Sequence, residues 1–261
     1  MEYKKRTRNF YDPHSKTPFN ISRSKIDLFL ECPLCFYLDR RLGVGRPSMP
    51  AFTLNVAVDR LLKKEFDIYR AKKEAHPLMK RYKISAVPFA HADLDLWREN
   101  FTGVRFYHPE TNLIISGAVD DVWLGERGEL SVVDYKATAK DGEVELTDSE
   151  WHRGYKRQIE VYQWLLRQNG HKVSDTGYFV YVNGKADRAA FDGKLEFDIK
   201  VIPYTGSDKW VEKTLGELKK CLDLPAPPPA AQACEFCGYR TIMNNTLTAN
   251  SASKNNQTLF G

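Results

Sequence analysis

Long apolar runs are missing from this 261-residue sequence: none approaches the roughly 18 consecutive positions a membrane helix needs. The first residues, MEYKKRTRNFYDP, are basic with no apolar segment behind them, so no secretory signal is read there and a cytoplasmic protein without a membrane partner is expected. No internal repeat stands out either. A strong excess of one charge is absent too. The formal net charge is +5, and residues 1–19 supply +3 of it from Lys4, Lys5, Arg6, Arg8 and Lys16 against Glu2 and Asp12. Lys254 alone charges residues 241–261, so residues 20–240 carry only +1. Net charge is therefore weak support for nucleic-acid binding, although the basic arm could touch phosphates. Cysteine is scarce: five residues in a chain this long exclude a disulfide-stapled secreted scaffold.

The few cysteines are nevertheless arranged. Four form two Cys-x-x-Cys pairs, Cys32/Cys35 and Cys234/Cys237, near opposite ends of the chain. Two such pairs make a complete sulfur cage, suited to zinc or an iron–sulfur cluster. A stiff spacer, Pro225-Ala226-Pro227-Pro228-Pro229-Ala230, leads into the second pair. Cys221 reads as an ordinary helix cysteine.

Helical signals open the chain. Asn20 to Leu30 reads as a capped helix with an Ile26, Phe29, Leu30 stripe, disturbed at Pro33 after the first cysteine. Thr53 to Lys72 repeats apolar residues at helical spacing, and a loosely patterned region follows. Asn112 to Leu124 and Leu130 to Ala137 read as two strands joined by a hairpin at 125–128. Trp151 to Gln168 is a helix, Thr176 to Val182 a strand, Phe191 to Ile202 a strand or hairpin arm, and Lys209 to Cys221 a helix. The order predicts an α/β fold: a mixed central sheet flanked by helices, in one domain over 20–240. It lies between a flexible basic arm (1–19) and a disordered polar tail (241–261).

The stretch VVDYKATAK (132–140) ends a β-branched run with an acid and a base two residues apart. On a strand, Asp134 and Lys136 share a face, with Cα atoms roughly 6.5–7 Å apart. The preceding strand carries Gly117-Ala118-Val119-Asp120, and cross-strand pairing would bring Asp120 to Asp134. Two close carboxylates repel, and a divalent cation removes that cost. Magnesium, which favours oxygen ligands and keeps several waters, needs little more from the protein. Lys136 would orient water or offset phosphate charge. On the next helix Gln158 and Tyr162, four apart, share a face. The plainer readings are a surface ion pair and a half-exposed Gln beside a core Tyr.

Together, Gly117-x-x-Asp120, Asp134-x-Lys136 and Gln158-x-x-x-Tyr162 resemble the RecB-like branch of the PD-(D/E)XK nuclease superfamily, as does the opening SRSKIDLFLECP. The resemblance spans residues 22–240 and implies a restriction-endonuclease-like sheet. Its implied activity is a magnesium- or manganese-dependent DNA nuclease of repair, recombination or defence, with a helicase or repair complex as partner. It implies Asp120, Asp134, Lys136, Gln158 and Tyr162 as the catalytic set, with Asp120 and Asp134 on the metal. Asp59 stands where the branch usually has a His ligand, and Asn55 where it has a Gly. Asp59 can ligate such an ion, or pair with Lys63 at i+4. The resemblance further implies termini joined by a 4Fe–4S cluster, as in AddB-type and CRISPR-associated nucleases. Met243 falls at the fourth cysteine position, so Cys35 would complete a two-plus-two set with Cys32, Cys234 and Cys237; zinc stays open. A catalytically silent nucleic-acid-binding or assembly protein is the alternative. A small-molecule enzyme working at the cysteine metal is disfavoured, because four thiolates leave no open position.

Overall fold

The computed structural model describes residues 4–48 and 52–257. The chain order is β1 (Phe19–Ser22), α1 (Arg23–Glu31), α2 (Pro33–Arg40), α3 (Thr53–Lys72), α4 (Pro77–Arg81), β2 (Ala86–Pro88), α5 (Leu94–Arg98), β3 (Val104–His108) and β4 (Leu113–Gly117). It continues with β5 (Asp121–Gly125), β6 (Leu130–Thr138), α6 (Glu150–Gln168), β7 (Thr176–Gly184), β8 (Phe197–Thr205), α7 (Trp210–Asp223) and α8 (Glu235–Gln257). Two compact units result: Met1–Lys16, Lys25–Met49 and Leu215–Gly261 form one; Thr17–Ser24 and Pro50–Thr214 form the other. Among the described residues, no helix is long and apolar enough to cross a membrane.

The larger unit holds the expected mixed sheet structure flanked by helices. Five strands lie in the order β2-β5-β6-β7-β8, with β6 and β7 parallel and the other neighbours antiparallel. Three more form β1-β4-β3, in which β1 runs parallel to β4. Alternation along β6 divides its neighbours, as period-two geometry requires. Val133 and Tyr135 join Leu62 and Phe66 of α3, Met79 of α4 and Trp123 of β5 in one apolar core. Lys136, on the other face, reaches α6 through Gln158. Closure of α6 needs two missing side chains. A Cβ on Gly117 would lie 2.5 Å from Tyr162 Cε1, and one on Gly177 2.7 Å from Ile159 Cγ2.

Several boundaries differ from the sequence expectation. The strand expected from Asn112 to Leu124 is two strands in different sheets, broken at 118–120. The apolar pattern runs through Ala118 and Val119, but Val119 donates its N–H to Trp97 O at 3.0 Å, away from a ladder. Residues 20–22, expected to open a helix, instead extend β1 against β4. The arm expected from Phe191 enters β8 only at Phe197, after Asp192 and Gly193 adopt positive φ. The loosely patterned region holds α4, β2, α5 and β3.

The smaller unit corrects both termini. The basic arm is not free: Arg6 pairs with the buried Asp39 at 2.6 Å, and buried Tyr11 donates its hydroxyl to Asp223 at 2.7 Å. The tail expected to be disordered continues α8 as far as Gln257. Thr241, Thr246 and Thr248 turn their hydroxyls onto the carbonyls of Cys237, Ile242 and Asn244, so these polar residues are satisfied along the helix itself. Pro33 behaves as expected, ending α1 and opening α2 at the first helical position, where its missing N–H costs nothing.

Gly117→Ala should destabilise the protein by about 1–3 kcal/mol, since Tyr162 or the strand must shift to admit a methyl group. Thermal melting checks this, with a lower Tm expected.

Candidate functional site

β6 outruns its neighbour. β5 begins at Asp121, which pairs with Val133, so from Asp134 onward β6 pairs only with β7. The freed edge is met by side chains. Asp120 Oδ2 accepts the Tyr135 N–H at 2.8 Å, and Asn55 of α3 donates Nδ2 to Ala137 O at 3.1 Å. A side-chain carboxylate thus takes the place of a ladder carbonyl at the point where the chain bears the acid-x-Lys pair. The sequence expectation put Asp120 within a strand; it lies in the link just before β5.

An open cleft of about 460 Å³ forms there, lined among others by Asp59, Lys63, Asp120, Asp134, Lys136 and Gln158. Tyr162 does not line it; buried behind, it accepts a hydrogen bond from Gln158 Nε2 at 3.1 Å. Gln158 Oε1 in turn accepts from Lys136 Nζ at 3.2 Å. Lys136 Nζ lies 2.5 Å from Asp134 Oδ2 and 4.1 Å from the centre of the Tyr155 ring. The same-face expectation for Asp134 and Lys136 is met, and the chain Lys136–Gln158–Tyr162 fixes the ammonium from behind.

Asp134 is fully buried, yet neither carboxylate oxygen has an aligned hydrogen-bond donor among the described residues. Its contact with Lys136 is an ion pair without hydrogen-bond geometry. Burial pushes the carboxyl up to about 6 against the pull of Lys136, and the Asp120 charge adds to the rise. Burial pulls the Lys136 ammonium down, but Asp134 and Asp120 outweigh it and the net shift is upward. A buried anionic oxygen without a donor normally costs several kcal/mol. Asp134 and Asp120 are the carboxylates that could hold a divalent, oxygen-seeking cation here.

Asp59 sits differently. Both its oxygens lie 2.9 Å from Lys63 Nζ, which also reaches Asp120 Oδ1 at 3.4 Å. Burial and the Asp120 charge raise the Asp59 carboxyl. Asp59 therefore lines the cleft but is engaged by an ammonium.

Sequence reasoning missed the scaffold of this site. Buried Asp121 receives Arg70 at 2.5 Å, Arg98 at 3.0 Å and the Tyr135 hydroxyl at 2.9 Å. Arg98 also donates to Asp120 O at 3.1 Å and to both Asp67 oxygens. The dipeptide Asp120-Asp121 is clamped so that one acid faces the cleft and the other the core. Neither Arg70 nor Arg98 carried a signal in the sequence, because their shared partner Asp121 is distant along the chain.

The four paired cysteines are all buried, and their sulfur atoms all lie within 4.8 Å of one another. Cys35 Sγ stands 3.6 Å from both Cys234 Sγ and Cys237 Sγ, and Cys32 Sγ 3.8 Å from Cys237 Sγ. The N- and C-terminal segments of the smaller unit thus meet at a four-thiol cluster able to hold a metal. Arg46 approaches it, donating to Cys234 Sγ at 3.6 Å. Cys221 stays outside the cluster, with its Sγ 3.9 Å from Pro33 O.

Residues 53–242 match the sequence model of the PD-(D/E)XK nuclease superfamily. No curated protein matches the sequence. Solved structures similar to this chain include SSO0001, at 15% identity and TM-score 0.39 over 82% of each chain. A candidate exonuclease from Eubacterium rectale is similar at 15% identity and TM-score 0.40, over 84% of this chain and 87% of that one. Likenesses of that size carry no weight for the chemistry.

Asp121→Ala should cost about 3–5 kcal/mol, because it leaves Arg70 and Arg98 buried without their shared acid. Urea unfolding checks it, with a lower midpoint expected.

Proposed function

This chain belongs to the PD-(D/E)XK nuclease superfamily, and we propose that it is a divalent-metal-dependent nuclease hydrolysing DNA phosphodiester bonds. The observation that carries the reading is the buried Asp134 carboxylate, its oxygens without aligned donors, beside Lys136 and Asp120 on an open cleft. Asp134 and Asp120 would hold magnesium or manganese. The ion would supply Lewis-acid stabilisation of the charge that builds on the phosphate. Lys136, raised above its ordinary value by the two carboxylates, keeps its proton and presents a fixed positive charge to a phosphate oxygen or a water. Gln158 is a positioning residue: it holds Lys136 Nζ while Tyr162 holds Gln158. The order of these residues supports the RecB-like branch and, with it, service in repair, recombination or defence alongside a helicase or repair complex.

Asp134→Asn and Lys136→Ala should each slow magnesium- or manganese-dependent cleavage by at least about a hundredfold while leaving the circular dichroism spectrum unchanged. Wild-type protein that cuts neither single- nor double-stranded DNA with either ion would reduce the site to nucleic-acid binding.

For the cysteines, the sulfur spacing supports one tetrahedral zinc over a 4Fe–4S cluster. Zinc–thiolate bonds of about 2.3 Å set sulfur atoms about 3.8 Å apart in a tetrahedron; three of the six sulfur pairs here stand 3.6–3.8 Å apart, and all four sulfurs lie within 4.8 Å of one another. A cubane needs a wider cage. The metal would be structural, since four thiolates leave no open position, and thiolate ligation makes metal binding part of folding. Anaerobically purified protein should be colourless with one zinc per chain, and Cys32→Ser should lower both zinc content and Tm. A brown protein with iron and absorption near 400 nm would restore the cluster.

A further inference from the structure

The acidic cleft has two unlike halves. On one side Asp134, fully buried, meets the Lys136 ammonium at 2.5 Å through Oδ2, while its Oδ1 has no donor among the described residues. On the other, both Asp59 oxygens are taken by Lys63, whose ammonium also touches Asp120. Asp59 and Lys63 sit four apart on α3, a helix anchored by the buried Leu62 and Phe66. The Lys63 side chain is 21% exposed, so its charge is largely withdrawn from water. The ammonium stands where a cation bridging Asp59 and Asp120 would stand.

We propose that Lys63 is a built-in cation filling the Asp59 half of the cleft, so that the site takes one divalent ion, at Asp134 and Asp120, in place of two. This rests on the metal-dependent reading above. The charges around the cleft favour it. Asp59, Asp120 and Asp134 face Lys63, Lys136 and Arg98, with Arg23 acting from nearby. The six charged lining groups cancel, so one divalent ion already makes the cleft positive, as an anionic phosphate requires. A second ion would have to enter against Lys63 at close range, where repulsion between like charges withdrawn from water is steep. Asp59, the residue at the expected His position, thus serves the ion indirectly: it positions the ammonium that replaces a ligand-bound metal.

The test counts ions without reference to cleavage. Full-length protein, its cysteine site left as purified, is titrated with Mn2+ and the free ion is followed by electron paramagnetic resonance. Wild type and Lys63→Arg should bind one Mn2+ per chain; Lys63→Met should bind two, with dipolar broadening of the signal. Lys63→Gln repeats the count should the methionine variant fail to fold. A charge-free variant that still takes one ion, at any affinity, overturns the proposal, as does wild type that already takes two. Wild type that takes none overturns the metal-dependent reading itself, a result distinct from the other two.

Discussion

A carboxylate buried on a central strand constrains everything built around β6. Asp134 is sealed from solvent, with Lys136 at 2.5 Å and no aligned hydrogen-bond donor. Ionised carboxylates in such surroundings are expensive unless neutralised and hydrogen-bonded. The chain meets that cost only in part. β5 withdraws from the ladder at Asp121, Asp120 takes up the orphaned Tyr135 N–H, and the pair Gln158–Tyr162 holds Lys136 in place. What remains unsatisfied is the requirement a divalent ion would fill.

Behind the cleft, the same electrostatics are fully satisfied. Asp121 is as buried as Asp134 but has two arginines, a tyrosine hydroxyl and a backbone N–H on its oxygens. Two adjacent acids in one sequence therefore have opposite roles: Asp121 locks the turn into β5, and Asp120 is presented by it. Gly117 belongs to the same construction. Its missing side chain lets the Tyr162 ring close on β4, which sets the far end of the relay that steadies Lys136. Positional precision at the cleft is thus supplied by the rigid elements α3, α6 and β6 and, for Asp120, by a short link that Arg98 clamps.

Much of this was legible in the sequence where a short period governs it. Two-residue alternation put Asp134 and Lys136 on one face, and four-residue spacing paired Gln158 with Tyr162 and Asp59 with Lys63. The Cys-x-x-Cys pairs announced a joint cage, which the four sulfur positions fit. Long-range partners were not legible. Nothing in the spacing tells that Lys63 also reaches Asp120, 57 positions on, or that Arg98 braces the Asp120-Asp121 link. The break between β4 and β5 was hidden because Ala118 and Val119 continue an apolar pattern while leaving the ladder. Tyr11 and Arg6 looked like solvated arm residues because their partners, Asp223 and Asp39, are distant in sequence. The polar composition of 241–257 concealed a helix whose threonine hydroxyls donate to carbonyls four residues earlier.

The measurement that bears most directly on the account is an anomalous-scattering map from crystals of the protein soaked in Mn2+. The account predicts a manganese peak about 2.1 Å from a carboxylate oxygen of Asp134 and one of Asp120, with Lys136 still held by Gln158. A cleft without a peak at saturating Mn2+, or manganese bound elsewhere while Asp134 stays paired with Lys136 alone, would contradict it.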